Sequence, residues 1–128
     1  MIGYVTLGTA NVAAAQSFYD GLLGVIGAKR MMEFDSFTLW GMGYDKPGIA
    51  VTKPNNGEPQ HPGNGTMTAI TVEERAKVDA LHGKAMELGG TCEGPPGLRG
   101  DEGPTAFYAA YFRDLDGNKL CAYKMGPA

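Results

Sequence analysis

Few side chains in this 128-residue sequence have the types and spacing that chemistry needs. Cys92 and Cys121 are its only thiols. A thiol becomes a nucleophile or a metal ligand when a base or cation stands beside it. No such neighbour is evident in the sequence, and a free cysteine otherwise behaves as a small buried hydrophobe. Tyr4, Trp40, Tyr44, Phe107, Tyr111 and Tyr123 offer aromatic surface that can stack on a planar ligand or fill a core. Strand alternation puts Tyr123 on the same face as Cys121. Arg99 lies in the Gly/Pro-rich run Pro95-Pro96-Gly97-Leu98-Arg99-Gly100. It can grip a carboxylate or phosphate, or stand as a solvated loop charge. His61 falls in a polar stretch and reads as exposed. His82, between Leu81 and Ala85, reads as helix-surface packing. Asp114, Asp116 and Asn118 mimic the start of a calcium loop. The Gly and Glu that an EF-hand needs at its sixth and twelfth positions are Lys119 and Met125 here. There is no Walker loop, dinucleotide fingerprint, nucleophile elbow or His-Glu-x-x-His motif.

These residues must be positioned by short elements. Ile2 to Leu7 is apolar and β-favouring. Asn11 offers a helix cap, and Val12, Ala15, Phe18, Tyr19 and Leu22 follow at helical spacing to about residue 23. The Gly24 to Gly27 region stops that helix. Strands are expected over Lys29 to Phe34, Phe37 to Gly43 and Gly48 to Thr52. A Pro- and Gly-rich stretch from Lys53 to Gly65 reads as a linker or exposed loop. The pattern then restarts with a strand over Thr66 to Val72. Thr71 and Glu74 have capping-box spacing, and Val78, Leu81, Ala85 and Leu88 mark a second helix. A short strand over Thr91 to Glu93, a glycine-rich loop to Pro104, and strands over Phe107 to Arg113 and Lys119 to Lys124 complete the chain. Asp116-Gly117-Asn118 turns between the last two as a hairpin.

The order is βαβββ twice, at an offset of about 63 residues that sets Met67 on Tyr4 and Gly90 on Gly27. The expected fold is α+β: two βαβββ modules, at about 1–54 and 65–126, forming one domain over 1–128. Each four-stranded module is too thin to bury its own sheet. Together they predict an open, cupped, barrel-like sheet with helices outside and a cleft within.

Composition narrows the partners. Hydrophobic residues are 43%, charged residues 20% and the net charge −3, with no basic cluster. Nucleic acid and anionic membranes are disfavoured. No run is apolar enough to span a membrane and no segment reads as a signal peptide. Two cysteines outside any CxxC or disulfide framework fit a reducing cytoplasm.

Several stretches resemble the vicinal oxygen chelate superfamily of glyoxalases, bleomycin-resistance proteins and extradiol dioxygenases. Gly3-Tyr4-Val5-Thr6-Leu7-Gly8, Ala15-Gln16-Ser17-Phe18-Tyr19 and Leu22-Leu23-Gly24 are similar to its opening strand and helix. Thr68-Ala69-Ile70, Arg75, Val78-Asp79, His82 and Gly89-Gly90-Thr91 resemble the start of its second module. Pro96-Gly97-Leu98-Arg99 and the hairpin Tyr111 to Tyr123 resemble its end. The resemblance implies metal ligands on the first and last strands of each module, usually His or Gln and Glu. The matching positions here are Tyr4, Ala50, Met67 and Cys121. Zinc, nickel, manganese and iron(II) in such sites want imidazole and carboxylate. A thiolate with a thioether suits Cu(I), but two soft ligands make a weak case. Glu58 is the carboxylate considered for rebuilding a site.

The resemblance without its ligands implies a metal-independent small-molecule binding protein with no cofactor. Its cleft would be lined by Tyr4, Trp40, Met67, Cys121 and Tyr123, with Cys121 pointing inward and the Arg99 loop over it. Family habit implies a homodimer. The alternatives are a glyoxalase-like metal-dependent lyase, isomerase or dioxygenase, and a structural or assembly protein whose cleft is filled.

Overall fold

The computed structural model describes residues 1–128. Its elements are β1 (Tyr4–Gly8), α1 (Val12–Gly24), β2 (Lys29–Phe34), β3 (Phe37–Gly41) and β4 (Gly48–Thr52), then β5 (Thr68–Thr71), α2 (Arg75–Glu87), β6 (Thr91–Leu98), β7 (Phe107–Arg113) and β8 (Lys119–Met125). They form two four-stranded sheets of matching topology, β1-β4-β3-β2 and β5-β8-β7-β6. In each, the module's first strand lies at an edge and runs parallel to its last. The expected α+β pair of βαβββ modules is the observed architecture. The sheets stay cupped and do not close into a barrel.

Local sequence explains both helices. Asn11 is extended at φ −141°, and its side-chain oxygen accepts from Ala14 N at 3.1 Å. That satisfies one of the donors a helix start leaves free. Ala15, Phe18, Tyr19, Leu22 and Leu23 form the buried stripe of α1. Gly27, at φ +83°, then turns the chain away. The second helix differs from expectation. Glu74 itself occupies the N-cap and makes no side-chain capping bond, while Thr71 is still in β5. The spacing of a capping box is there, but the strand holds Thr71 too far back to act. Burial of Val78, Leu81 and Ala85 holds α2 instead.

The strand after α2 also differs. It runs on from the expected Thr91–Glu93 to Leu98, through Pro95 and Pro96. Register breaks at Cys92/Gly94 and Gly94/Gly97 accommodate it. Proline lacks an amide donor and is tolerated on an edge strand or at a bulge, and β6 is an edge.

One core links the modules. It takes Leu7, Trp40, Ile49 and Val51 from the first sheet, Ile70, Ala110, Phe112, Leu120 and Ala122 from the second, and the inner stripes of both helices. The helices touch each other. Alternation then leaves a second face on each sheet, away from its helix. On the first sheet that open face carries Tyr4, Thr6, Phe37, Leu39 and Ala50. On the second it carries Ala69, Phe107, Tyr111, Cys121 and Tyr123.

Candidate functional site: open sheet faces and an inter-module cavity

The positions matched to metal ligands all belong to the open side. Tyr4 lies opposite Gly48, with Ala50 two residues further along β4. Cys121 lies opposite Ala69, two residues beyond Met67. The relation is the same in both modules, as the internal repeat requires. Tyr4 is 54% exposed and meets Phe37 edge-on at 6.0 Å. Ala50 is fully buried. Met67 stands just before β5 and is exposed. None of these is an imidazole or carboxylate, and nowhere in the molecule do three His, Cys, Asp or Glu side chains converge. Glu58 and His61 share only a small polar pocket of about 300 Å³ with Thr6, Thr52 and Gln60. The donor set does not fit the divalent metals of this chemistry.

Cys121 is 1% exposed despite facing the open side. Its β7 neighbour Tyr111 pairs directly across from it. The Arg99 guanidinium sits 5.4 Å and the Lys119 ammonium 5.5 Å from the Tyr111 ring centroid. Burial pushes the Cys121 thiol up from its ordinary range, and Tyr111, Arg99 and Lys119 pull it only partly back. At neutral pH it is a protonated, packed thiol. Arg99 donates to the carbonyls of Gly97 and Pro95, at 2.9 and 2.7 Å, and forms no ion pair. Tyr123 stacks on Phe107 at 5.2 Å.

An apolar cavity lies between the modules. It holds about 500 Å³ and is bounded by the β1 end of one sheet and the β5 edge of the other. Val5, Ile26, Ile49, Met67 and Ile70 give it an apolar wall, and Trp40 closes the floor. The indole is 1% exposed and its Nε1 donates to Asp20 on α1 at 2.9 Å, so Trp40 supplies a fixed wall. Lys46 is the one ionisable residue of the lining.

The six sequence-selected residues therefore fall in three places. Trp40 and Met67 border the cavity. Arg99, Cys121 and Tyr123 share the open face of the second sheet. Tyr4 lies on the open face of the first. Sequence reading missed Lys46, Ile26 and Lys119, which come from loops, a helix end and a strand start with no local signal. It also missed a pair on the helix-covered side: His82 Nε2 stands 3.2 Å from the exposed Cys92 Sγ. Burial lowers the His82 pKa from its ordinary value.

The Asp-x-Asp-Gly-Asn turn proves to be a clasp. Gly117 takes φ +85°, as the turn demands. Asp114 is buried and accepts from Tyr19 Oη at 2.5 Å, from Asn118 N and Asp116 N at 2.9 Å, and from Asn118 Nδ2 at 3.0 Å. Asn118 Nδ2 also donates to the Gly8 carbonyl, and Ala10 N donates to Asp116. The last hairpin is thereby tied to the β1–α1 corner of the first module.

Comparison with known proteins agrees with this architecture. The profile of the Glyoxalase/Bleomycin resistance protein/Dioxygenase superfamily matches residues 1–122. A glyoxalase/bleomycin resistance protein from Albidiferax ferrireducens T118 is 33% identical in a solved structure, with a TM-score of 0.85 over 97% of this chain and 98% of that one. A glyoxalase/bleomycin resistance protein/dioxygenase family enzyme from Burkholderia phytofirmans PsJN is 19% identical, with a TM-score of 0.72 over 96% and 97% of the two chains. A lactoylglutathione lyase from Agrobacterium tumefaciens is 19% identical, with a TM-score of 0.65 over 97% and 92%. The last two show the fold alone. A search among curated proteins found no match.

Proposed function

The chain belongs to the Glyoxalase/Bleomycin resistance protein/Dioxygenase superfamily, and from that premise we propose that it is a metal-independent small-molecule binding protein. The observation that carries this reading is the apolar cavity of about 500 Å³ between the modules. Ligand sites are commonly concave, largely apolar clefts of roughly 300–1,000 Å³. The lyase named among the fold neighbours suggests a metal-dependent alternative, but the donors at Tyr4, Ala50, Met67 and Cys121 speak against it. A structural role with a filled cleft predicts side chains where the cavity lies.

A homodimer belongs to the same proposal. Tyr4, Met32 and Phe34 on the first sheet, and Met125 on the second, are large apolar side chains left exposed on the open faces. Covering them removes apolar surface from water. The two unpaired thiols suit a reducing cytoplasm. No helix is long and apolar enough to cross a membrane.

Elemental analysis tests the metal-independent reading. The purified protein is incubated with nickel, zinc, manganese and iron(II), then desalted. The expected result is no retained metal, together with thermal stabilisation by members of a panel of planar and amphipathic compounds. One tightly held metal per chain would overturn the reading and put a metal-dependent lyase or dioxygenase first.

A further inference from the structure

We propose that the inter-module cavity selects an amphiphilic monoanion: an apolar body that fills the cavity and a single carboxylate, or comparable anionic group, held at the rim by Lys46. This rests on the small-molecule-binding reading above and names the ligand class for the same site. Three observations lead to it.

The wall comes first. Apart from Lys46, the lining offers no charged group, and its only polar side-chain groups are the hydroxyls of Thr68 and Thr71 and the Trp40 indole N–H, which Asp20 already occupies. A ligand carrying charge along its body would lose its hydration there without a partner, which is costly. The buried part of the ligand is therefore apolar. The volume suits a body on the order of ten to twenty non-hydrogen atoms, given that one water takes about 30 Å³ of liquid.

The charge comes second. Lys46 is exposed in the loop between β3 and β4 and forms no ion pair with any carboxylate of the chain. Its ammonium is therefore free to meet a ligand. With one cation and no carboxylate in the lining, a cationic ligand meets repulsion, and a polyanion leaves charges unmatched. A neutral ligand fits the wall but leaves the ammonium unused.

The third is the position of the wall. Ile49 and Trp40 belong to the core, Val5 packs against it, and Trp40 is fixed by its bond to Asp20, so this side is preformed. The opposite side is the β5 edge from Met67 to Thr71. A ligand entering there buries the exposed Met67 side chain while its head group stays in reach of solvent and Lys46. Preorganised walls reduce the ordering cost of binding.

Octanoate, 1-octanol and octylammonium are the probes, each titrated into the full-length protein by calorimetry below any micellar concentration. Lys46→Met tests the charge. Ala69→Trp tests the location, because Ala69 is an exposed edge residue of the lining and a bulky side chain there crowds the mouth of the cavity. The expected result is one octanoate per chain, bound about fivefold more tightly than octanol, as one exposed ion pair allows. Octylammonium binds weakest, Lys46→Met brings octanoate down to octanol, and Ala69→Trp abolishes both. Equal octanoate and octanol affinity in the unmodified protein overturns the anion inference and leaves the binding reading standing, as does stronger binding of octylammonium. Octanoate binding that survives Ala69→Trp places the site elsewhere and overturns the inference. No binding of any probe, with no thermal stabilisation by the wider compound panel, overturns both.

Discussion

At the scale of single residues, burial decides what each group can do. Cys92 is exposed and Cys121 is closed over, with its thiol pushed up by desolvation. A disulfide reagent at neutral pH is expected to titrate one thiol per native chain quickly and the second only after denaturant is added. Two fast thiols would show that the second sheet's face opens freely. Asp114 offers a sharper case. Burial raises its carboxyl above the ordinary aspartate value, while the Tyr19 hydroxyl and the Asn118 and Asp116 donors pull it down. A raised folded value means its contribution to stability is complete in acid and declines as pH climbs through that value. Tyr19→Phe removes one donor from a buried acceptor and is expected to cost about 1–3 kcal/mol. It also raises the carboxyl further, so the deficit in urea midpoint grows as pH climbs above the ordinary aspartate value. A deficit that does not change with pH would mean Asp114 is not the group that feels the loss.

At the scale of elements, the two helices are held by different means, and the difference can be measured. Asn11 caps α1 through a real hydrogen bond, so Asn11→Ala is expected to cost about 1 kcal/mol. Glu74 makes no such bond, so Glu74→Ala should leave the midpoint almost unchanged. Equal losses would contradict the capping geometry. Gly83 sits inside α2 with nothing within 4 Å of an added Cβ, and Gly83→Ala is expected to stabilise by about 0.5–1 kcal/mol. Elements like these were legible because their signals are local: a cap residue, a 3.6-residue apolar stripe, a Gly-Asn turn. The extension of β6 through Pro95-Pro96 was not, since prolines argue against a strand unless it is known to be an edge. The site was legible only in outline. Trp40 reads as aromatic surface in the sequence, yet Asp20 turns it inward from twenty residues away. Arg99, Lys119 and Tyr111 meet only because β6, β7 and β8 are neighbours, which single-strand patterns do not encode.

At the scale of the whole molecule, the question is whether two repeated modules behave as one folding unit. The core argues that they do, because its members come from both sheets and both helices without a break. The clasp from Asp116 and Asn118 to the β1–α1 corner adds polar ties across the same boundary. At Gly21 on α1 an added Cβ would fall 2.8 Å from Leu88 Cδ1 at the C-cap of α2. A large side chain there must displace the Leu88 side chain from its packing between the helices, and overpacking of this kind costs about 1–3 kcal/mol. Gly21→Leu is therefore expected to lower the stability of both modules together. Two probes report on the halves separately: Trp40 fluorescence for the first, and labelling of the buried Cys121 thiol for the second. In urea the two transitions should coincide in the unmodified protein and shift by the same amount in Gly21→Leu. Were Cys121 to label at lower urea than Trp40 responds, the second module would be opening alone. The continuous core would then be two cores in contact, and the cavity between them a hinge.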